Sequence, residues 1–483
     1  MSQVRAKSIK RKIKNVKSRR DVKKRRAIKI KKMKKKNAGN VREISKARFE
    51  ALSYARIPLV KSIAEEIQWF SNENNAVLGA LLVDKIDNDF VAIVMGRDEV
   101  GVFRLIDCRH SIEDINDARE VLFSLILFHS ESGAEEYPQG VSKRKKNLIF
   151  EPVVKERVMH EDYKVLTGSD SMSPAKELIQ EMAYSFEDPD GNYIEQFQSS
   201  GFNPRLWELY LYALFHELDF TINRDYSAPD YVIEKLGIRF CVEAVTVNPS
   251  QNGFDEDEPK NSEEMLDLLS NYIPIKYGSP LFSKLNKKYW EKKHVAGNPF
   301  AIAIHDFHQR NSMMWSRPGL EAYLYGVVRK NKINADGIIE RVSDTVDSHQ
   351  WKGKEIPSNF FAQPGAENIS AVIHSNQATI GKFLRMGYLA EFGRRDLEIR
   401  LKGRAIIYNN DKPVDYDVAV TDPEYNEFWK NSVTIYHNPN AKNPLNPYLF
   451  EGVAQVFFKD GEFRDIKPPF YPLDGRTMYR VVQ

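Results

Sequence analysis

The chain has 483 residues, of which 42% are hydrophobic and 11% aromatic, and this is ample apolar material for more than one folded core. Its two cysteines, Cys108 and Cys241, lie far apart and lack metal-ligand spacing, which argues against a disulfide framework and favours a reducing compartment. No apolar run is long enough to span a membrane, and no signal peptide opens the sequence. We therefore expect a cytoplasmic protein without a membrane partner.

Positive charge is concentrated in the first residues of the chain. Residues 1–40 contain 19 Lys and Arg and one acid, a formal charge of +18, which leaves −14 for the rest of a chain whose total is +4. Self-repulsion and few apolar residues predict a disordered basic arm over residues 1–43. Such an arm is expected to bind nucleic acid, DNA or RNA, through phosphate contacts that weaken with salt. A solubilising tail is the alternative interpretation.

Apolar patterning after the arm predicts a small α+β domain, residues 44–135. The pattern is helical over 44–75, strand-like over 77–85, 90–96 and 101–108, and helical again over 113–130. No residues in this domain have catalytic spacing, so we expect a structural or recognition role for it.

Composition sets the remaining boundaries of what we expect to be a multidomain α/β protein. A polar stretch with a basic cluster predicts a linker over 136–173. Ser173 and Pro174 form a helix start signal that opens the core region with its helical extensions, residues 174–397. Residues 398–483 alternate apolar and polar positions with many turn residues, which predicts a β-rich C-terminal subdomain.

A helix predicted over 204–218 is apolar almost all round, which is typical of a buried helix. Between Leu206 and Phe215 its only charged residue is Glu208. A carboxylate at a buried position is costly unless it is paired, hydrogen-bonded or bound to a metal. Glu208 is therefore a candidate site residue.

Two further carboxylates lie on a short hydrophobic hairpin, with predicted strands over 230–235 and 238–246. Asp230 follows a proline at the start of the first strand, and Glu243 lies on the second. Carboxylates on neighbouring strands can hold one divalent cation between them, and hard ions such as Mg²⁺ prefer oxygen ligands. Because a strand has a period of two, Val245 points to the same side as Glu243.

The order helix, three strands, helix, strand over residues 200–306 resembles the core of the PD-(D/E)XK nuclease superfamily, the restriction-endonuclease-like αβββαβ fold. Asp230 matches the first metal ligand of that family, Glu243 matches its second acid, and Glu208 matches its frequent first-helix acid. Segments 364–370 and 437–441 look like an uncharacterised bacterial family. Members of the superfamily are common in restriction, repair and phage defence.

The resemblance implies metal-dependent cleavage of phosphodiester bonds, with Mg²⁺ or Mn²⁺ held by Asp230, Glu243 and the backbone carbonyl of Ala244. Family members usually have a lysine where this chain has Val245. Some members place the lysine on another element, and Lys284 is our first candidate for the ammonium here, with Lys287 and Lys288 as the alternatives. Their helix is expected to begin at residues 278–280.

We therefore expect an endonuclease that acts on DNA or structured RNA in antiviral or restriction-like immunity, with the arm and the core as the nucleic-acid contacts. A phage-derived trigger and a homodimer are further expectations from that role. Two alternatives stay open. One is a non-catalytic nucleic-acid-binding or sensor protein in which Val245 marks lost activity, and the other is a triggered, toxin-like RNase that acts on tRNA.

Overall fold

The computed structural model describes residues 41–131, 133–140, 145–250, 259–333, 339–408, 410 and 412–482. Residues 1–40 of the predicted basic arm, which was expected to span residues 1–43, lie outside the described residues. The chain divides into two compact units, Met1–Asn147 and Leu148–Gln483. Within the described ranges, no helix is both long enough and apolar enough to cross a membrane.

The first unit is built on a five-stranded antiparallel sheet of order β1-β2-β3-β4-β5. Its strands are β1 Val41–Glu43, β2 Ala64–Asn72, β3 Val77–Asp84, β4 Phe90–Arg97 and β5 Phe103–Ile112, and its helices are α1 Lys46–Leu52, α2 Leu59–Ile63 and α3 Ile115–Glu131. Leu122 and Ile126 of α3 are fully buried in one cluster with Val77, Leu81 and Val94 of the sheet. The α+β character expected for this domain is confirmed.

Two details of the first unit differ from the sequence expectation. Residues 64–72, expected to be helical, form strand β2, and a bulge between Glu66 and Gln68 interrupts the two-residue alternation that would have marked a strand. Residues 41–43, assigned to the basic arm, form strand β1 because their backbone pairs with Phe70, Ser71 and Asn72. Residues 41–43 therefore belong to the sheet of the first unit and not to the arm.

The second unit contains an eight-stranded mixed sheet of order β19-β18-β17-β14-β9-β8-β7-β6. Its helices are α4 Glu161–Gly168, α5 Ser173–Ser185, α6 Tyr193–Gln198, α7 Phe202–Glu217, α8 Ser262–Asp267, α9 Ile273–Asn286, α10 Arg317–Tyr325 and α11 Ile380–Leu389. Its strands as far as β14 are β6 Thr221–Asn223, β7 Tyr231–Lys235, β8 Ile238–Val247, β9 Phe300–Asp306, β10 Val327–Ile333, β11 Ile339–Thr345, β12 Ser348–Trp351, β13 Lys354–Pro357 and β14 Ala371–Ser375. The remaining strands are β15 Leu397–Ile407, β16 Val414–Ala419, β17 Val433–His437, β18 Ala454–Lys459, β19 Glu462–Ile466, β20 Phe470–Pro472 and β21 Arg476–Val481.

The order helix, three strands, helix, strand that the sequence predicted is present as α7, β6, β7, β8, α9 and β9. Strands β6, β7 and β8 are antiparallel neighbours, and β9 lies parallel to β8. Adjacent positions on a strand point to opposite faces. Ile302 and Ile304 pack with Leu281 of α9, whereas Trp207 of α7 packs against the side chain of His305, with ring centroids 5.4 Å apart. The two helices therefore cover opposite faces of the sheet.

Three boundaries in the second unit differ from those expected. The predicted linker 136–173 contains helix α4, whose Tyr163 and Leu166 are buried. Helix α9 begins at Ile273 and not at residues 278–280, with Pro280 inside it. Residues 398–483 do not form a separate subdomain, because β17, β18 and β19 continue the central sheet from β14. Composition does not show which strands from distant parts of the chain will pair with each other.

Candidate functional site

Glu243 lies in the middle of β8 and has 4% of its surface exposed. Its Oε1 accepts hydrogen bonds from two donors on and just after α9: Lys284 Nζ at 2.5 Å and Tyr289 Oη at 2.6 Å. Lys284 belongs to the helix that covers this face of the sheet, whose apolar residues pack on Ile302 and Ile304 beside Glu243, and Tyr289 follows that helix directly. A buried carboxylate is thus neutralised by one cation and one phenol.

Asp230 immediately precedes β7 and lies beside Glu243 on the neighbouring strand. Its Oδ2 accepts the backbone N–H of Ala244 at 2.7 Å, and its own backbone N–H donates to Glu243 Oε2 at 3.3 Å. The pairing of Tyr231 with Val242 fixes this proximity, since it brings the start of β7 opposite the middle of β8. The hairpin register therefore places the two acids together, as their spacing predicted.

Glu208 of α7 is the third candidate acid and is buried, with 5% of its surface exposed. Its Oε1 accepts a hydrogen bond from Arg205 Nη1 at 2.8 Å, and Arg224 Nη2 lies 3.9 Å from its Oε2. Helix α7 also meets the start of β7, because Tyr231 Oη donates to the Glu208 backbone carbonyl at 2.6 Å. Glu208 is thus held by arginines while its backbone anchors the strand that carries Asp230.

Crowding of acids raises the affinity of the site for positive charge. Burial, together with the charges of Glu243 and Glu208, holds the pKa of Asp230 well above its ordinary value, despite the Ala244 hydrogen bond and the Lys284 charge. Burial also raises the pKa of Glu208, against the two arginines that favour its ionised form. Burial and the adjacent Glu243 raise the pKa of Tyr289, so its phenol remains a donor at neutral pH.

The donor set fits a hard divalent cation in its chemistry. All the acidic ligands are carboxylate oxygens, and Glu208 Oε2 is buried without a hydrogen-bond partner. Across the described part of the chain, however, no three His, Cys, Asp or Glu side chains already converge as a metal-binding group. Asp230 and Glu243 are the residues that would hold the ion, and Glu243 would exchange part of its contact with Lys284 for it. The role assigned to the Ala244 carbonyl stays a prediction.

Val245 occupies a core position. It is half-buried and packs against the apolar cluster that contains Leu281 and Leu285 of α9. The ammonium closest to Glu243 comes instead from Lys284, one helical turn beyond Leu281. Lys284 has 17% of its side chain exposed, so the ammonium lies at the edge of the buried site. Of the three lysines near the end of this helix, it is the one for which a bond to Glu243 is found.

His305 and Asp306, at the end of β9, serve packing and loop anchoring. His305 is fully buried beside Trp207 and accepts the backbone N–H of Ala378 at 3.1 Å, and burial lowers its pKa to about 3. Asp306 accepts two hydrogen bonds from His308, one from the backbone N–H and one from the ring. Although burial opposes ionisation of Asp306, His308 lowers the pKa of its carboxyl. Neither side chain is hydrogen-bonded to Asp230 or Glu243.

Sequence reasoning missed three residues of the site. Arg205 stands three positions before Glu208, a spacing that places both on one side of a helix, so this pair had a readable signal. Arg224 and Tyr289 had none, because they reach Glu208 and Glu243 from segments whose positions only the fold decides. Arg224 is also packed against the rings of Phe186 and Tyr231.

Comparison of the chain with protein-family models, with curated proteins and with solved structures gives no match.

Proposed function

We propose that this protein is a metal-dependent phosphodiester hydrolase that cuts nucleic acid. The observation that carries the proposal is the convergence on Glu243 of Asp230 from the neighbouring chain segment and Lys284 from α9, which brings two acids and one ammonium together. A structural ion pair would need only one acid. The second acid beside it adds repulsion between two carboxylates, and a bound cation would offset that repulsion.

A divalent ion at Asp230 and Glu243 would polarise a phosphate and acidify a bound water. The residues around this ion would have different roles. Asp230 is oriented by the Ala244 amide and Glu243 by Tyr289, so both carboxylates are preorganised. Lys284 can stabilise the negative charge that develops on the phosphate oxygens as the water attacks. Glu208 acts at a distance: with Arg205 it fixes the helix that supports Tyr231 and the start of β7.

The non-catalytic alternative is favoured by one observation. Glu243 Oε1 accepts hydrogen bonds from both Lys284 and Tyr289, which is the arrangement of a stable internal ion pair. A protein of this kind would bind nucleic acid without cutting it. The proposal predicts that replacing Asp230 abolishes cleavage of nucleic acid, whereas the alternative predicts no cleavage by the wild type either.

The test is cleavage of plasmid DNA and of total tRNA with Mg²⁺ or Mn²⁺, comparing the wild type with Asp230→Asn and Glu243→Gln. Asp225→Asn is the matched control, because Asp225 is exposed on the same loop and five positions before Asp230. Metal-dependent cutting that only the two site variants abolish would support the proposal, and the substrate cut would separate a DNase from an RNase. Equal activity of Asp230→Asn and wild type would refute it.

A further inference from the structure

An aromatic pair lies on the loop that leads to Asp230. The rings of Tyr226 and His294 are stacked, with centroids 3.9 Å apart and planes within 4°. His294 Nε2 lies 3.0 Å from the backbone carbonyl of Ala228, two residues before Asp230. Tyr226 nevertheless keeps 37% of its surface exposed. His294 thus holds the loop through Ala228 and through its stack with Tyr226, while part of Tyr226 stays exposed to solvent.

A lysine-rich segment precedes the histidine of this pair in the chain. Between the end of α9 and His294 the sequence contains four exposed lysines and one acid, Glu291. Lys288 lies 3.9 Å from Glu291, an exposed pair with little energetic value. We call the set the stacking platform, and it consists of Tyr226, Lys287, Lys288, Lys292, Lys293 and His294.

The stacking platform is continuous with the candidate catalytic site along both of its chain segments. Lys284 and Tyr289, which bond to Glu243, belong to the same stretch as its lysines. Tyr226 lies four residues before Asp230 on the other segment. A polymer that places one phosphate at Asp230 and Glu243 therefore has its neighbouring units within reach of the platform.

Aromatic faces beside lysines suit one kind of polymer. Bases of any sequence stack on an exposed ring, and ammonium groups follow the phosphates. Bases of a duplex are already stacked on each other, so a duplex could use only the lysines. We infer that the stacking platform binds a single-stranded stretch of nucleic acid next to the scissile phosphate, with one base on Tyr226. That the bound strand lies next to a scissile phosphate rests on the proposed function. The binding of a single strand rests on the stacking platform alone.

The experiment measures binding by the full-length protein in EDTA, where hydrolysis is prevented. The probe is a single-stranded oligonucleotide with one 2-aminopurine, whose fluorescence is quenched on stacking, beside a duplex of the same sequence. We expect Tyr226→Ala to bind the single strand roughly tenfold more weakly and to lose the quenching, with duplex binding unchanged. Tyr226→Phe keeps the ring and should behave as the wild type.

Tyr448→Ala is the matched control, since Tyr448 is 89% exposed and lies near the opposite end of β7, where Lys235 contacts Leu449. Lys292→Glu with Lys293→Glu tests the phosphate contacts without touching the loop, and it should weaken both probes. Wild-type affinity and quenching in Tyr226→Ala, or equal loss for single strand and duplex, would overturn the inference. If the protein quenches the probe in EDTA but cuts no nucleic acid when Mg²⁺ or Mn²⁺ is present, the stacking platform stands and the nuclease proposal fails. Failure of the platform and failure of the nuclease proposal are therefore distinguishable.

Discussion

Lys284 and Glu243, 41 positions apart in the chain, form an ion pair with 2.5 Å between Nζ and Oε1. The pair joins helix α9 to the central strand β8, and Asp230 lies on the far side of the same carboxylate. This relationship supplies an ammonium to the site although Val245 stands where an amine was expected. It also gives the first prediction.

Replacing Lys284 by methionine should lower the cleavage rate about 10² to 10³-fold, because the charge that forms on the phosphate loses its nearest ammonium. The readout is kcat on the substrate that the wild type cuts. Lys276→Met is the control, since Lys276 lies on the same helix but bonds to the Asn248 carbonyl and Ser250. A Lys284→Met enzyme with wild-type kcat would show that the lysine has only a structural role.

Asp230→Asn should raise the thermal stability of the metal-free protein at pH 8. The pKa of Asp230 is raised in the folded state above its ordinary value of 3.8, so the folded state binds more protons and stability is lost as pH rises above 3.8. The amide removes that loss and can still accept the Ala244 N–H. We expect a Tm higher by roughly 2 °C or more at pH 8 and no difference near pH 3.5.

Addition of Mg²⁺ or Mn²⁺ should make the wild type more thermally stable than Asp230→Asn. A cation held by Asp230 and Glu243 binds the folded state only, so the Tm of the wild type should rise with the logarithm of the cation concentration once that concentration exceeds the Kd. Asp230→Asn should show little of this rise, while Asp225→Asn should show all of it. Thermal unfolding at several metal concentrations measures both, and an identical rise in all three proteins would place the ion elsewhere.

Glu427 should be the most sensitive acid in the second unit outside the site. Its carboxylate bonds to Lys382 Nζ and to Arg385 Nε and Nη2, whose side chains are at most 1% exposed. Glu427→Gln leaves buried positive charge without its counter-ion, which costs about 3 to 5 kcal/mol in the free energy of unfolding. Urea denaturation measures this cost, and Glu424→Gln, at an exposed position nearby, is the control.

Acid should weaken the same cluster. Burial opposes ionisation of Glu427, but Arg385 and Lys382 hold its pKa well below the ordinary 4.5. The stabilisation is therefore complete above pH 4.5 and is lost as pH falls below it. Wild-type stability should decline between pH 4.5 and 2.5 more steeply than that of Glu427→Gln. Parallel curves for the two proteins would contradict this assignment.

Glu208 and Arg205 should be coupled. Glu208→Gln leaves Arg205 and Arg224 short of negative charge, but it also removes a carboxylate whose pKa is raised by burial, and the two effects on the free energy of unfolding oppose each other. Removing Arg205 as well, in Glu208→Gln with Arg205→Met, should cost less than the sum of the single changes. A double-mutant cycle in urea gives the coupling energy. Strict additivity would mean that the pair contributes nothing beyond its separate contacts.

Periodicity accounts for the parts of the fold that were predicted well. Strands β3 and β4, helix α3 and the hairpin that carries Glu243 match their expected ranges to within two residues, whereas β5 ends four residues beyond its predicted end. The failures fall where local pattern and final structure diverge. Strand β2 has a bulge that breaks alternation, and α9 continues through Pro280 because its Ile273, Tyr277 and Leu281 are buried against the sheet.

The sequence by itself determined the acids of the site and their approach, since the hairpin between Asp230 and Glu243 is short and its register follows from the turn. It also determined that α7 is buried and that Arg205 and Glu208 share one side of it. Only the tertiary structure decided that Lys284, Tyr289 and Arg224 reach those acids, and that His294 stacks on Tyr226. The physical reason is range: local spacing fixes contacts within a helix or hairpin, whereas contacts between distant segments depend on how whole faces pack.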